Sequence, residues 1–190
     1  LEFDFMPTAN TVKFRYVFAS EEYNEWVCSS YNDVFGFFLS GPGINGTFSN
    51  NAENIALIPG STNYVAINTI NNGTGGSSGT NCIFTNTNLF VDNIAANGQT
   101  IAFDGFTKVL TATYTVEPCE IYHIKLAVSD ISDGLLDSGV FLEANSFDAG
   151  SVAITPSYLN PNIGGNYALE GCTNGKFTFS IANPQATPYV

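Results

Sequence analysis

The stretch Val12-Lys-Phe-Arg-Tyr-Val-Phe18 decides the fold class, because a large apolar residue occupies every second position. Lys13 and Arg15 lie between these apolar residues. A period of two places the apolar side chains on one face of an extended chain. The stretch therefore predicts a β-strand with one buried face.

The same period, or a short continuous apolar run, recurs along the chain. It predicts further strands at residues 33–40, 54–58, 64–70, 107–116, 121–128, 138–144 and 176–181. Turn signals such as Asn45-Gly46 and Asp133-Gly134 separate these segments. Glu117-Pro-Cys-Glu120 predicts a hairpin connection between two of them. Many short strands with this punctuation predict an all-β fold, an antiparallel β-sandwich or jelly roll with long acidic loops.

The composition narrows the class of partner. The 190 residues carry 5 Lys and Arg against 17 Asp and Glu, a formal net charge of −12. Nucleic acids and anionic membranes bind basic surfaces, so we expect neither as the main partner. Hydrophobic residues make up 44% of the chain and charged residues only 12%. That balance supports a packed core and, with many Asn, Thr, Gly and Ser, favours an extracellular β module.

The pattern changes near residue 150, which predicts two domains. Residues 1–149 form the β-sandwich, and residues 150–190 form a linker and the first strands of a second β domain, because roughly 40 residues are too few for a sandwich. No apolar run reaches the roughly 20 residues that span a bilayer, so we expect no direct membrane insertion. Leu1-Glu-Phe-Asp-Phe5 has the pattern of a strand rather than of a signal peptide. We expect both ends to continue in a longer chain.

The four cysteines are Cys28, Cys82, Cys119 and Cys172, and none belongs to a Cys-x-x-Cys or Cys/His cluster. A structural zinc site is therefore not expected. In an oxidising compartment the three cysteines before residue 150 allow one disulfide, for which we favour Cys28–Cys82. Cys172 would then pair beyond residue 190. The alternative is four buried thiols without a bond.

Acidic residues concentrate in two predicted loops that follow long hydrophobic strands. The first contains Ser20-Glu-Glu-Tyr-Asn-Glu-Trp26 and then Asn32-Asp33, and the second is Ser129-Asp-Ile-Ser-Asp-Gly-Leu-Leu-Asp-Ser138. Carboxylates held close together repel one another unless a cation neutralises them. Calcium accepts about 6–8 oxygen ligands in irregular geometry, which suits such loops. The alternative is that these acids are solvated turn formers.

Catalysis is less well supported. Glu21 and Asp133 could form a carboxylate pair for glycoside hydrolysis, and His123 is the single histidine available for Ser-His-Asp chemistry. Nothing in the spacing requires either, and alternation places His123 on the polar face of its strand. We therefore expect no enzyme.

Three aromatic residues, Tyr23, Trp26 and Tyr31, lie in the first acidic loop. Aromatic side chains beside acidic groups can stack on a sugar or hold a peptide. Trp26 could equally be a core residue. These readings stay open at the level of sequence.

Longer blocks of the sequence resemble a known family. The first three are Phe14-Arg-Tyr-Val-Phe-Ala-Ser-Glu-Glu-Tyr23, Asn32-Asp-Val-Phe-Gly-Phe-Phe-Leu-Ser-Gly-Pro-Gly43 and Asn54-Ile-Ala-Leu-Ile-Pro-Gly60. They resemble the choice-of-anchor L domain of secreted and surface proteins, many of them from Bacteroidota. The later blocks Phe103-Asp-Gly-Phe106, Tyr122-His-Ile-Lys-Leu-Ala127 and Asp137-Ser-Gly-Val-Phe-Leu-Glu143 fit as well. The resemblance covers residue 1 to about residue 147.

The Ala-Ser-Glu-Glu-Tyr and Asn-Asp-Val-Phe patterns are also similar to calcium-dependent peptide-binding domains of giant bacterial adhesins. In those domains calcium helps to capture the end of a partner polypeptide. This second resemblance implies a Ca²⁺ site whose candidate ligands are Glu21, Glu22, Asp33, Asp130, Asp133 and Asp137. It implies ligand contacts from nearby aromatic and polar residues, namely Tyr23, Trp26, Tyr31 and Asn32.

The tail Leu169-Glu-Gly-Cys-Thr-Asn-Gly-Lys-Phe-Thr-Phe-Ser180 is similar to the opening of a Calx-β-like repeat, which forms stalks in large adhesins. It implies flanking β-repeat domains in the same chain. In Bacteroidota this architecture implies export by the type IX system, with a gliding or attachment adhesin as the parent protein.

The sequence thus predicts a calcium-dependent adhesion module that binds an extracellular peptide, protein or glycan ligand. Its parent protein would be secreted or attached to the outer membrane through other parts of the chain. The alternatives are a carbohydrate-binding module that uses the loop aromatics, and a purely structural stalk or filament domain.

Overall fold

The computed structural model describes residues 1–74, 76, 82–94 and 101–150, together with the backbone of two later strands. In chain order the strands are β1 Glu2–Phe5, β2 Thr11–Ser20, β3 Val34–Ser40, β4 Glu53–Asn54, β5 Phe90–Asp92, β6 Gly105–Thr107, β7 Leu110–Thr115, β8 Tyr122–Ser129, β9 Ser138–Leu142, β10 Val152–Tyr158 and β11 Gly175–Ile181. Two short 3-10 turns, Ser49–Asn51 and Thr87–Leu89, precede β4 and β5.

Strands β1 to β9 form two antiparallel sheets. The first has the order β1-β8-β3-β4. In the second, β2 is central, because Tyr16 and Ala19 each pair on both edges, with β7 or β6 on one side and with β9 on the other. β5 extends this sheet beyond β6. The all-β antiparallel sandwich that the sequence predicts is confirmed.

Aromatic rings from β2 and β3 fill the space between the sheets. The alternation in β2 holds from Thr11 to Tyr16, with every second residue buried. The ring centroids of Phe14 and Phe37 lie 4.7 Å apart, and those of Phe18 and Phe35 lie 5.0 Å apart. Such ring pairs add about 0.5–1.5 kcal/mol each beyond the burial of their area. They fix β2 of one sheet against β3 of the other.

Two of the expected strands are largely absent. Residues 64–70 form only isolated bridges at Tyr64 and Ala66 and then a turn. The Thr69 hydroxyl donates to the Tyr64 carbonyl at 2.8 Å and accepts from the Ala66 N–H at 2.9 Å. This side chain bonds to backbone groups that would otherwise pair with a neighbouring strand. A local turn is therefore favoured over a strand at residues 64–70. The strand expected at residues 54–58 is reduced to the two-residue β4.

The expected hairpin between residues 107–116 and 121–128 is wrong. The segment 107–116 is interrupted at Lys108 and Val109 and gives β6 and β7, which pair with β2 in the second sheet. Strand β8 instead pairs with β1 and β3 in the first sheet. The connection therefore crosses from one sheet to the other. Both β7 and β8 carry one buried face, and on opposite sheets these two faces meet the same core.

The tail contains the strand that the sequence predicts near residues 176–181. β10 and β11 pair with each other in antiparallel register, from Val152↔Ile181 to Tyr158↔Gly175. The domain boundary after residue 149 and the nature of the second domain stay predictions. Cys172 lies outside the described residues.

A disulfide joins Cys28 to Cys82, the pairing that the sequence favoured, with 5.2 Å between the two Cα atoms. The bond ties the loop after β2 to a segment 54 residues later in the chain. Cys119 is exposed and free. Because the bond closes a long loop, it restricts the unfolded chain.

We predict that replacing both Cys28 and Cys82 with Ala lowers the free energy of unfolding by about 2–4 kcal/mol, the usual effect of opening a loop of this size. Urea unfolding of the oxidised protein measures the change. The matched control is Cys119→Ala, which removes an unbonded, exposed cysteine and should leave stability unchanged. Equal stability of the double variant and the control would show that the bond does not anchor the loop.

Candidate functional site

The strand pairing brings the two acidic loops to the same end of the sandwich. The first acidic loop, residues 21–33, leads from β2 to β3, and the second acidic loop, residues 130–137, leads from β8 to β9. β2 pairs with β9 as far as Ser20↔Ser138, and β3 pairs with β8 as far as Val34↔Ser129. Both loops therefore cross between the same two sheets, side by side.

Hydrogen bonds join the two loops directly. The N–H of Glu21 donates to the carbonyl of Asp137 at 3.0 Å, and the N–H of Asp137 donates to Oε2 of Glu21 at 3.1 Å. Farther along, the hydroxyl of Ser132 donates to the carbonyl of Ser30 at 2.9 Å. The loops are thus one structural unit.

Asp33 is the central acceptor of this unit. Its side chain is buried, and Oδ1 accepts the Ile131 N–H at 3.0 Å while Oδ2 accepts the Ser138 hydroxyl at 2.8 Å. Hydrogen bonds to a carboxylate are stronger than those between neutral groups. One aspartate therefore holds the second acidic loop close to both of its ends.

Glu22 is buried without a partner for its charge. The residue is 2% exposed, and its Oε2 has no hydrogen-bond partner among the described residues. Its backbone is well held, because its N–H donates to Ser20 Oγ at 2.9 Å and its carbonyl accepts the Trp26 N–H at 3.0 Å. A buried carboxylate oxygen without a partner is costly, so this position calls for a proton or a cation.

The electrostatics of Glu22 show which acids surround it. Burial raises the pKa of Glu22 to about 7, and nearby negative charges act in the same direction. Those charges belong to Asp33, Asp133 and Asp130. We call these four residues the Glu22 cluster. It contains acids from both loops.

Glu21 and Asp137 lie beside this cluster, and Glu21 also approaches a second group of acids. Burial raises the pKa of Asp104, and the charges of Glu25, Glu21 and Asp92 raise it further. Neither Asp92 nor Asp104 is a candidate site residue on sequence grounds alone. Asp104 precedes Gly105, and an Asp-Gly pair usually indicates only a turn. Its position near the first acidic loop becomes visible only in the fold.

The two basic residues of β2 are engaged away from the acidic loops. Lys13 pairs with Asp148 at 3.3 Å, and Arg15 pairs with Glu143 at 2.8 Å, both on exposed side chains of the second sheet. Among the described residues, no ion pair reaches the Glu22 cluster. The local excess of negative charge is therefore uncompensated by the part of the chain that the structure describes.

The four expected ligand-binding residues occupy different environments in the structure. Tyr23 is fully buried, and its hydroxyl donates a hydrogen bond to the Ile70 carbonyl at 2.7 Å. Because the ring belongs to the core, it is not accessible to an external ligand. Asn32 is half-buried and its Oδ1 accepts the Asn68 N–H at 2.9 Å, so this oxygen is already engaged within the protein.

Trp26 and Tyr31 do line a pocket between the acidic loops. Its volume is about 410 Å³, and its walls are Glu22, Trp26, Tyr31, Asp133, Leu135 and Leu136. The two leucines were not identified from sequence. The sequence does contain a signal for them, because two adjacent apolar residues stand within an acidic loop. Exposed apolar surface rimmed by polar groups often marks an interaction site.

The residues present fit a hard cation in their chemistry. Glu22 supplies a buried carboxylate oxygen without a partner, and the rest of its cluster supplies further carboxylates and no basic group. In the described part of the chain, no three His, Cys, Asp or Glu side chains are already gathered into a ready-made metal site. An ion here would therefore take some of its oxygens from backbone carbonyls, hydroxyls or a ligand, as calcium commonly does.

Comparison with known proteins identifies the family. The family model of the Choice-of-anchor L domain matches residues 1–148. The chain belongs to the choice-of-anchor L family. The resemblance seen in the sequence blocks is thereby confirmed. No curated protein and no solved structure matches the chain.

Membership makes this chain a module of an extracellular surface protein, in a family of surface and structural modules that is not typically enzymatic. A secreted or cell-surface location follows at this coarse level. Within the described ranges, no helix has both the length and the apolar character needed to cross a bilayer.

We predict that Asp33→Ala lowers the free energy of unfolding by about 1–3 kcal/mol, because the Ile131 N–H and the Ser138 hydroxyl lose their acceptor. The amide of Ile131 should exchange its hydrogen faster, which NMR-detected exchange measures. Asp33→Asn keeps one acceptor oxygen and should show a smaller effect. Glu120→Ala, at an exposed position between β7 and β8, is the control. Unchanged exchange at Ile131 in Asp33→Ala would contradict the anchoring role.

We predict that the calcium-free protein loses stability as the pH rises from about 4.5 to about 8. The pKa of Glu22 is about 7 in the folded protein, above its value of about 4.3 in an unfolded chain. The folded state therefore favours the proton, and the stability this provides is fully present below about pH 4 and is lost as the pH rises through about 7. Chemical denaturation across this range measures it.

Glu22→Gln removes this titration and should flatten the dependence. Glu120→Gln, at an exposed position between β7 and β8, should keep it. The same slope in Glu22→Gln and in the unmodified protein would assign the pH dependence to other groups.

Proposed function

We propose that this choice-of-anchor L domain is a non-enzymatic, calcium-dependent ligand-binding module of a large bacterial surface protein. The observation that supports calcium most directly is the buried, unpartnered Oε2 of Glu22. Three aspartates from the two loops lie close enough to raise the pKa of that carboxyl. A divalent cation would neutralise this group, which the described basic residues do not.

Glu22, Asp33, Asp130 and Asp133 are the proposed ligands within the cluster. Glu21 stands at its border, because its Oε2 already accepts the backbone N–H of Asp137. Asp137 bonds to Glu21 through its backbone only, so its carboxylate remains a proposed ligand. Bound calcium would cancel the repulsion among the carboxylates and accept an oxygen of the external ligand. The chain itself contributes the rigid frame through Asp33, which holds the second acidic loop in place.

The proposed ligand is an extracellular peptide or protein end. The similarity to calcium-dependent peptide-binding domains of adhesins supports it, and so does the pocket of Trp26 and Tyr31 that opens beside the cluster. We further propose that the parent protein is an adhesin with flanking β-repeats, exported by the type IX system and used in attachment or gliding.

A carbohydrate ligand is the second candidate, because two half-exposed aromatic side chains line the same pocket. The ring centroids of Trp26 and Tyr31 lie 5.0 Å apart with an angle of 63° between the planes. The edge of one ring therefore faces the other, which leaves less flat surface for a sugar than two coplanar rings would. A glycan array probed beside a peptide library distinguishes the candidates.

We predict that calcium raises the melting temperature of the protein relative to chelator. At a free concentration about 100 times Kd, the free energy of unfolding should increase by about 2.7 kcal/mol. Glu22→Gln should abolish most of this gain, because it removes the buried carboxylate whose Oε2 has no hydrogen-bond partner among the described residues. Glu120→Gln, which is remote from the loops, should retain it. Equal melting temperatures in chelator and in millimolar calcium would contradict the proposal and favour a purely structural stalk domain.

A further inference from the structure

The pocket between the acidic loops has two kinds of wall. Trp26, Tyr31, Leu135 and Leu136 supply the apolar part of its lining, whereas Glu22 and Asp133 belong to the Glu22 cluster. A group that enters the pocket therefore meets apolar surface and the proposed cation site at once.

The apolar wall is unusually open for residues of this kind. Leu135 is 82% exposed, and Trp26 and Tyr31 are half-buried. Exposed apolar surface that is concave and rimmed by charge gains stability when an apolar group fills it. The wall is thus suited to bury a side chain supplied from outside.

The size of the pocket indicates how much it can hold. A cavity of about 150 Å³ is large enough to hold a benzene ring. This pocket of about 410 Å³ therefore has room for one large side chain and part of its backbone. The tilted arrangement of Trp26 and Tyr31, at 63°, favours insertion of a side chain over the stacking of a flat sugar ring.

The walls are held in position by the same contacts that join the loops. Leu135 and Leu136 lie between Ile131, which donates to Asp33, and Asp137, which donates to Glu21. In the first acidic loop, the backbone N–H of Trp26 donates to the backbone carbonyl of Glu22. The apolar pocket and the acidic cluster are therefore fixed relative to each other.

We propose that this pocket sets the specificity of the module: it takes one aromatic or long aliphatic side chain of an extended peptide, whose adjacent carboxylate or carbonyl oxygen reaches the calcium ion. Leu135 and Leu136 are the specificity residues that this adds to Trp26 and Tyr31. The inference rests on the proposed function, because calcium supplies the attraction for the peptide oxygen.

The chain provides its own reporter for a test. Trp26 is the single tryptophan of the sequence, so its fluorescence emission reports on the pocket alone. The probes are two synthetic tetrapeptides with free terminal carboxylates that differ only in carrying Phe or Ser at the third position. Affinity is measured by Trp26 emission and by calorimetry, with the calcium-saturated protein.

We expect the Phe peptide to bind at least about tenfold more tightly than the Ser peptide and to shift the Trp26 emission to shorter wavelength. Leu135→Ser should weaken binding of the Phe peptide by about tenfold and so remove most of the preference for Phe over Ser. Ile121→Ser is the matched control, because Ile121 is also exposed but lies at the opposite end of β8.

Equal affinity for the two peptides, or binding of neither, would overturn the specificity pocket while leaving stabilisation by calcium intact. A sugar that shifts the Trp26 emission where neither peptide does would overturn it in favour of a carbohydrate site. Preference for Phe in the presence of chelator would support the pocket and contradict the calcium part of the proposed function. Absence of stabilisation by calcium would contradict the proposed function itself.

Discussion

The site depends on the burial of two carboxylates between two loops. Asp33 is buried with two donors and acts as the anchor of the second acidic loop, whereas Glu22 is buried with an oxygen that no described donor satisfies. Burial first, and the neighbouring carboxylates in addition, increase the cost of ionising Glu22 and raise its pKa. The fold thus holds uncompensated negative charge at one end of the sandwich. A cation bound there would lower the electrostatic free energy, which is the physical basis of the proposed cation site.

The sequence predicts the scaffold well where one side-chain pattern dominates. The alternation in β2 and the apolar run of β3 both correspond to strands, and their aromatic residues form the core. Predictions failed where side chains bond to the backbone, as Thr69 does in the segment expected to be a strand. They also failed where neighbours in sequence belong to different sheets, as β7 and β8 do, because an apolar face does not specify the sheet that it completes.

The acidic residues could be grouped from the sequence, but their convergence could not. It follows from two registers, Ser20↔Ser138 and Val34↔Ser129, that join strands more than 90 residues apart. The sequence also does not indicate which aromatic residues of the first acidic loop are buried. Tyr23 belongs to the core, whereas Trp26, three residues later, lines the pocket. Leu135 and Leu136 gained significance only when the fold placed them in the same pocket as Trp26 and Tyr31. Seven of the 17 acidic residues lie in these two loops, so a large share of the negative charge is concentrated at one end of the sandwich.

The most direct test is anomalous diffraction from crystals of this protein grown in calcium. Calcium bound as proposed would give an anomalous peak between the two acidic loops, with Glu22 and at least one aspartate of its cluster as ligands. Full density for both loops with no ion between them, in crystals that hold calcium elsewhere or none at all, would contradict it.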